Sequence, residues 1–229
     1  MNANKKIVME NIELWHGDCR DMSDIKCDVI ITDPPYGIKY IPRKIGKNET
    51  RIKYSNFEGR KMEGDIEPFD PMWILAFNKP TLLWGANHYA DKLPVSSHWL
   101  VWDKRGKGYY GNNSFSDCEL SWCSTKGVAR IYLHIWNGIV RQGEESAKYG
   151  TGKLHPTQKP VALMMWCLKE MKVTNGMTVY DPYMGSGTTG IACIRMGCKF
   201  IGVEKEADYF EVARQRIENE FLQRKMNFA

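Results

Sequence analysis

The chain carries short, solid apolar runs that stop abruptly at polar residues, the pattern of strands buried on both faces of a sheet. Val29-Ile30-Ile31 runs towards Asp33-Pro34-Pro35-Tyr36, Met177-Thr178-Val179-Tyr180 into Asp181, and Phe200-Ile201-Gly202-Val203 into Glu204. Ile12-Glu13-Leu14-Trp15 ends at His16-Gly17-Asp18, and further strands are predicted from Pro80 to Trp84 and from His98 to Trp102. Leu120 to Ser124 and the alternating stretch Arg130 to Trp136 predict an antiparallel pair at a sheet edge. Two stretches switch to helical spacing. Val161, Met164, Met165, Leu168 and Met171 form one apolar stripe, with Pro160 suited to its first turn; Tyr209, Ala213, Ile217 and Phe221 form the other. Both stripes are read as core. Strands mixed with helices argue an α/β sheet.

No internal repeat, low-complexity tract or flexible linker interrupts these elements, so residues 1–229 are read as a single domain. At 229 residues, 43% hydrophobic and 12% aromatic, the chain has the composition of a soluble globular protein with a substantial core. Met1 to Lys6 lacks the apolar core of a signal peptide, and the later run Val161 to Leu168 is too short to cross a bilayer, so no membrane partner is expected. Seven cysteines at irregular spacings are read as reduced thiols in a cytoplasmic protein. Cys118-x4-Cys123 lacks a second pair at ligand spacing, and no metal is expected.

The net charge of +5 becomes informative through its location. Lys39, Arg43, Lys44, Lys47, Arg51, Lys53, Arg60 and Lys61 face only Glu49, Glu58, Glu63 and Asp65 between positions 39 and 65, which places an excess of four positive charges in one segment. Tyr40, Tyr54 and Phe57 interleave with them. A long stretch without apolar periodicity, directly after Tyr36, is read as a loop that grips nucleic-acid phosphates.

The candidate chemistry lies at the strand ends, where an open α/β sheet binds its ligands. Asp181-Pro182-Tyr183-Met184-Gly185-Ser186-Gly187-Thr188-Thr189-Gly190 passes from a strand through a glycine-rich turn towards a helix, and Glu204 ends the next strand about 20 residues after the turn, where a carboxylate takes ribose hydroxyls. This is a nucleoside site. Gly185-x-Gly187-x-x-Gly190 also fits the dinucleotide fingerprint of a dehydrogenase, whereas a phosphate-binding P-loop is excluded by Ile191 in the place of its lysine. Asp33-Pro34-Pro35-Tyr36 offers a carboxylate and a proline-stiffened carbonyl to accept two amine hydrogens, and a ring to stack on a planar base.

Asp33-Pro34-Pro35-Tyr36 resembles the signature of the amino-methyltransferases. Together with His155-Pro156-Thr157-Gln158-Lys159-Pro160 and Asp181-Pro182-x-x-Gly185-Ser186-Gly187-Thr188-Thr189, in that order along the chain, it is similar to the β-class of DNA methyltransferases from Gly17 to about Arg216. The resemblance implies a seven-stranded, Rossmann-like sheet with helices on both faces and an antiparallel edge hairpin, the strand before Asp18 lying beside the last strand. It implies S-adenosylmethionine as cofactor, with Asp18 facing the adenine, His155, Thr157 and Lys159 closing over the methionine end, and Asp33, Asp181, Pro182, Tyr183, Gly185, Ser186, Gly187, Thr188, Thr189, Glu204 and Lys205 around the rest. It also implies site-specific methylation of double-stranded DNA, of the restriction–modification kind.

The chemistry expected of Asp33, Pro34, Pro35 and Tyr36 follows from the substrate. An exocyclic amine whose lone pair is delocalised into its ring attacks a methyl group poorly until acceptors on its hydrogens draw the nitrogen towards tetrahedral geometry. Asp33 and the Pro34 carbonyl serve as those acceptors, and the ring of Tyr36, rather than its hydroxyl, is what stacking on an extruded base requires. An initial Asp favours adenine N6 over cytosine N4 by resemblance, and carbon-5 methylation is excluded because the chain has no Pro-Cys pair. Larger relatives carry a target-recognition region before the His155 segment; here 137–154 is short, so sequence reading is expected from the 39–65 loop, from about 104–113 (Lys104, Arg105 and Lys107 among aromatic rings), or from 137–154 itself. A homodimer is compatible with the chain, whose oligomeric state is left open, as is its target sequence. The alternatives are an N4-cytosine methyltransferase, an NAD-dependent oxidoreductase and a non-catalytic DNA-binding relative.

Overall fold

A computed structural model describes residues 5–22, 24–38, 67–105, 116–137, 140–141 and 158–228. Its centre is one mixed sheet. In chain order the strands are β1 (Lys5–Met9), β2 (Ile12–His16), β3 (Val29–Thr32), β4 (Thr81–Trp84), β5 (Trp99–Asp103), β6 (Cys118–Cys123), β7 (Arg130–Leu133), β10 (Thr178–Asp181) and β11 (Lys199–Glu204), while β8 (Trp136–Asn137) and β9 (Val140–Arg141) pair separately. The spatial order is β1-β2-β11-β10-β3-β4-β6-β5-β7. The helices are α1 (Met72–Leu75), α2 (Val161–Glu170), α3 (Thr188–Met196) and α4 (Ala207–Phe228).

The solid apolar runs become central strands because alternate residues leave on opposite faces. Val29, Ile31, Leu82, Trp84, Val179 and Phe200 pack with Leu163, Leu168, Ile191 and Ile217 of α2, α3 and α4 on one face. Ile30, Leu83, Tyr180, Ile201 and Val203 pack on the other with Phe69, Ile74 and Tyr89. Among the described residues that second face is covered by the single turn of α1, short 3-10 turns and aromatic side chains rather than by long helices. Both expected stripes are core: Met164, Leu168, Ala213 and Ile217 are fully buried. Pro160 stands one position earlier than expected, as the extended N-cap of α2 with ψ 142°.

Among the described residues the sheet has nine strands, not the seven expected. β1 escaped the sequence reading because it alternates and has one open face; it forms an antiparallel hairpin with β2 at the sheet edge. The antiparallel pairing expected of the segments 120–124 and 130–136 is not formed. β6 lies inside the sheet, antiparallel to both β4 and β5, and β7 is parallel to β5 at the edge. Burial explains the difference: Trp122 and Cys123 bury on opposite faces of β6, which demands neighbours on both sides, whereas Ile131 and Leu133 of β7 stay exposed. As expected, the strand before Asp18 lies beside the last strand, Glu204 opposite His16.

β10 and β3 are parallel neighbours, Tyr180 beside Ile30. From β10 the chain proceeds outward to β11, and from β3 outward to β4 on the other side. That divergence opens a crevice at their carboxyl ends. Among the described residues no helix is long and apolar enough to cross a membrane.

Candidate functional site

At that crevice lies a cavity of about 370 Å³, in the size range of small-molecule sites, lined by Asp18, Asp33, Pro35, Phe69, Trp73, Lys159, Asp181, Pro182, Tyr183, Gly185, Ser186, Thr188, Thr189, Glu204 and Lys205 among others. Residues singled out in five separated stretches of sequence thus share one space.

The glycine turn is held by side chains from outside it. Gly187 sits at φ 79° as the N-cap of α3, and a Cβ there would stand 2.9 Å from Ile217 of α4, so both backbone and packing require glycine. Arg216 of α4 donates to the Ser186 hydroxyl at 2.9 Å and also to its carbonyl. Glu204 accepts from the Gly185 amide at 3.0 Å through one oxygen and from the Glu206 amide at 2.8 Å through the other. A carboxylate offers about four acceptor sites, more than these donors fill, so capacity is left for a ribose hydroxyl. Burial pushes Glu204 up to about 7.

Asp181 is buried and accepts from the Thr32 hydroxyl at 2.7 Å, the Thr189 hydroxyl at 2.6 Å and the Tyr183 amide at 3.1 Å. It joins the end of β3 to the end of β10 and the first turn of α3. Burial raises it to about 6 despite these donors. Asp18 is forked by Arg20, Nε at 3.0 Å and a terminal nitrogen at 2.8 Å, which holds it near about 2, and Lys205 approaches within 3.7 Å. Tyr183 meets Phe69 and Trp73 edge-on, forming an aromatic wall from a segment that sequence reading did not single out.

The other wall is charged. The Asp33 side chain, 19% exposed, binds the Lys159 ammonium through one oxygen at 2.5 Å and the Tyr36 hydroxyl through the other at 2.5 Å. Lys159, 6% exposed, also reaches Glu119 of β6 at 3.1 Å and lies 5.4 Å from the centre of the Trp84 ring. Glu119 in turn holds Lys104 at 3.2 Å. Burial raises Asp33 above the ordinary carboxylate range and outweighs the Lys159 charge. For Glu119 burial acts the same way, but two ammonium groups outweigh it and hold the carboxyl low. Burial would lower Lys159, and its two carboxylates raise it instead.

Tyr36 differs from expectation. Its ring stacks on His88, centroids 5.0 Å apart at 16°, and packs so closely on Gly85 that a Cβ there would fall inside the ring contact. Its hydroxyl orients Asp33, so ring and hydroxyl both have a task.

Of the expected DNA contacts, Lys104 is 19% exposed and turned towards Glu119, which takes it off the surface. Arg105 remains 41% exposed, with its guanidinium forked onto Asp103. Lys39, Arg43, Lys44, Lys47, Arg51, Lys53, Lys107, His155 and Thr157 lie outside the described residues. Cys118 and Cys123, five apart on β6, point to opposite faces, and among the described residues no group of three His, Cys, Asp or Glu side chains is placed to hold a metal. Sequence reading missed Glu119, Arg216 and Thr32. A charge inside a strand was the available signal for Glu119; nothing local marks its partner.

The DNA methylase family signature for N6 and N4 methyltransferases matches residues 74–215, which takes in Glu119, Lys159, the glycine turn and Glu204 and begins after Asp33 to Tyr36. The type II methyltransferase M2.DpnII of Streptococcus pneumoniae is 38% identical over 129 residues, 55% of this chain and 43% of that protein. The chain therefore covers less than half the length of that curated relative. The fold matches the crystal structure of the M1.HpyAVI–SAM complex with a TM-score of 0.55 at 22% identity, covering 90% of this chain and 98% of that one. It matches the cytosine-N4-specific PvuII DNA methyltransferase with a TM-score of 0.55 at 15% identity, covering 93% and 92%. The sheet with its crevice, the glycine turn answered by Glu204, and a signature spanning more than half the residues agree, and the chain belongs to the DNA methylase family of amino-methyltransferases.

Proposed function

We propose that this chain transfers a methyl group from S-adenosylmethionine to the N6 amine of an adenine extruded from double-stranded DNA. The observation that carries the reading is that Asp33, the glycine turn and Glu204 open into one cavity, so an amine acceptor and a nucleoside site share a wall-to-wall space. The residues fit the cofactor: the Glu204 carboxylate stands at the cavity as an acceptor for the ribose, Gly185 and Gly187 let it approach the backbone, and the Phe69, Trp73 and Tyr183 rings offer an apolar wall. Family membership displaces the dinucleotide reading of the same glycines. Bound S-adenosylmethionine supplies a methyl group on a sulfonium, already activated for transfer.

The protein's part is positioning and charge. Asp33 and the Pro34 carbonyl accept the two amine hydrogens and direct the nitrogen lone pair at the methyl carbon. With the cofactor bound, its methyl group would exchange its bond to sulfur for one to the amine nitrogen, and Asp33 would accept the displaced amine proton and pass it on to water. Asp33 suits that task because burial raises its proton affinity. For the Tyr36 ring to stack on the base, His88 must yield the ring face it covers; stacking then returns about 1–3 kcal/mol against the few kcal/mol of extrusion. Adenine over cytosine rests on the Asp that opens the tetrad.

The basic segment 39–65 is the proposed phosphate grip. Replacing Arg43, Lys44 and Lys47 by Ala should flatten the slope of log affinity against log salt by up to about 0.9 per lost phosphate contact, with cofactor affinity unchanged. The decisive test is mass spectrometry of nucleosides from DNA incubated with the protein and S-adenosylmethionine. N6-methyladenine is expected; N4-methylcytosine would move the base assignment alone, and absence of any methylated base would overturn the reading.

A further inference from the structure

Lys159 has three N–H donors, and Asp33 and Glu119, from different elements, take two of them at 2.5 and 3.1 Å. The geometry is that of one cation shared by two carboxylates, almost sealed from solvent. Such an arrangement is costly to build, because each buried charge loses its hydration, and removing one partner leaves another uncompensated. Family membership assigns no role to Glu119, and its position is specific. It lies in β6 opposite Trp102, on the strand that runs against all its neighbours, and the connection through Lys104 anchors its second oxygen.

Consider Asp33 without Glu119. The whole charge of Lys159 would then fall on the carboxylate that must accept an amine hydrogen, and the ammonium would follow it into the space the amine has to enter. Glu119 gives Lys159 a fixed second anchor, so the ammonium can yield the Asp33 oxygen to an arriving amine without becoming an unpaired buried charge.

We propose that Glu119 is a positioning residue for methyl transfer: through Lys159 it keeps Asp33 oriented yet open to the target amine. The inference rests on the reading under Proposed function and adds to it a group that touches neither cofactor nor base.

The test compares wild type, Glu119→Gln and Glu119→Asp for cofactor affinity by calorimetry and for single-turnover transfer of tritiated methyl to saturating DNA, with circular dichroism to confirm folding. Glu119→Gln preserves shape and removes the charge. Its transfer rate should fall by about 10–10²-fold, the order of loss produced by small misplacement of reacting groups, while cofactor affinity holds. Glu119→Asp, which keeps the charge but draws it back from Lys159, should recover part of that loss. A merely structural role lowers thermal stability and leaves the rate of the folded variant unchanged. A wild-type rate in folded Glu119→Gln therefore overturns the proposal, and so, should Glu119→Gln not fold, does a wild-type rate in Glu119→Asp. If the wild type itself transfers no methyl to DNA, the reading of the site falls first and this inference with it. Transfer by the wild type with unchanged variants sinks the inference alone.

Discussion

One wall of the cavity comes mostly from one stretch of chain, Thr178 to Glu206, braced from outside by Thr32, Arg216 and Ile217, whereas the wall around Asp33 draws on residues 33–36, 104, 119 and 159, brought together by four separate elements. The first wall is made of backbone amides, hydroxyls and two carboxylates whose proton affinity burial raises; the second is a chain of alternating full charges. Neutral donors within a local turn can be set by local sequence and adjusted one at a time. A charge chain cannot, since each member compensates another. The two walls should therefore answer differently to substitution: graded losses of binding on the cofactor side, and losses of rate with binding retained on the catalytic side.

The largest effect should come from Asp33→Ala. Methyl transfer is expected to fall by on the order of 10²–10³ while calorimetry still registers S-adenosylmethionine, since the acceptor removed acts as charge develops on the amine. Equal loss of binding and rate would erase the distinction between the walls. Glu204→Ala should show the reverse pattern: cofactor affinity weaker by roughly 1.5–3 kcal/mol, the worth of hydrogen bonds to a charged group, with DNA affinity nearly unchanged.

The cofactor wall should also carry a pH signature. Glu204 titrates near about 7 in the ligand-free protein, and two ribose hydroxyls need its ionised form. Cofactor affinity should thus weaken by up to about tenfold per pH unit below 7 and level off above it, a limb that Glu204→Gln removes. For folding the sign is opposite. A carboxyl raised by burial contributes stability that is fully present below its unfolded value and is lost as pH rises through its folded value, so ligand-free protein should lose the Glu204 contribution as pH passes about 7 and that of Asp181 as it passes about 6. Denaturant titration of wild type and Glu204→Gln across this window checks it.

Two smaller effects sharpen the boundary. Thr189→Val takes one donor from buried Asp181 and should lower unfolding free energy by about 1–3 kcal/mol in urea titration. Tyr36→Phe keeps the ring but frees one Asp33 oxygen. The single-turnover rate should fall by a factor equivalent to about 0.5–1.5 kcal/mol, and a rate equal to wild type would return Tyr36 to stacking alone.

Much of the fold was legible because its signals are local. Short, largely apolar runs identified β2, β3, β4, β5, β10 and β11 to within a residue or two, and the stripes of α2 and α4 were visible at helical spacing. The order Gly185, Gly187, Gly190 and the later Glu204 placed the glycine turn against the Glu204 strand end, since a turn and the strand beside it are neighbours in sequence as well as in space. Pairing was less legible. Period-two alternation describes a half-buried strand without naming its partner, which is why β6 and β7 were expected side by side and β5 lies between them.

The residues by themselves pointed to the family, its motifs and the strand ends that carry them, because each is written in a few consecutive side chains. Only the tertiary structure decided which charges meet. Lys159 finds Asp33 across 126 positions, and Glu119 joins them from a strand whose direction no local pattern reveals. Lys104, read from the sequence as a phosphate contact, turns inward for the same reason: in a buried site an ammonium goes to the carboxylate that most lowers its desolvation cost, and that partner is chosen by sheet order.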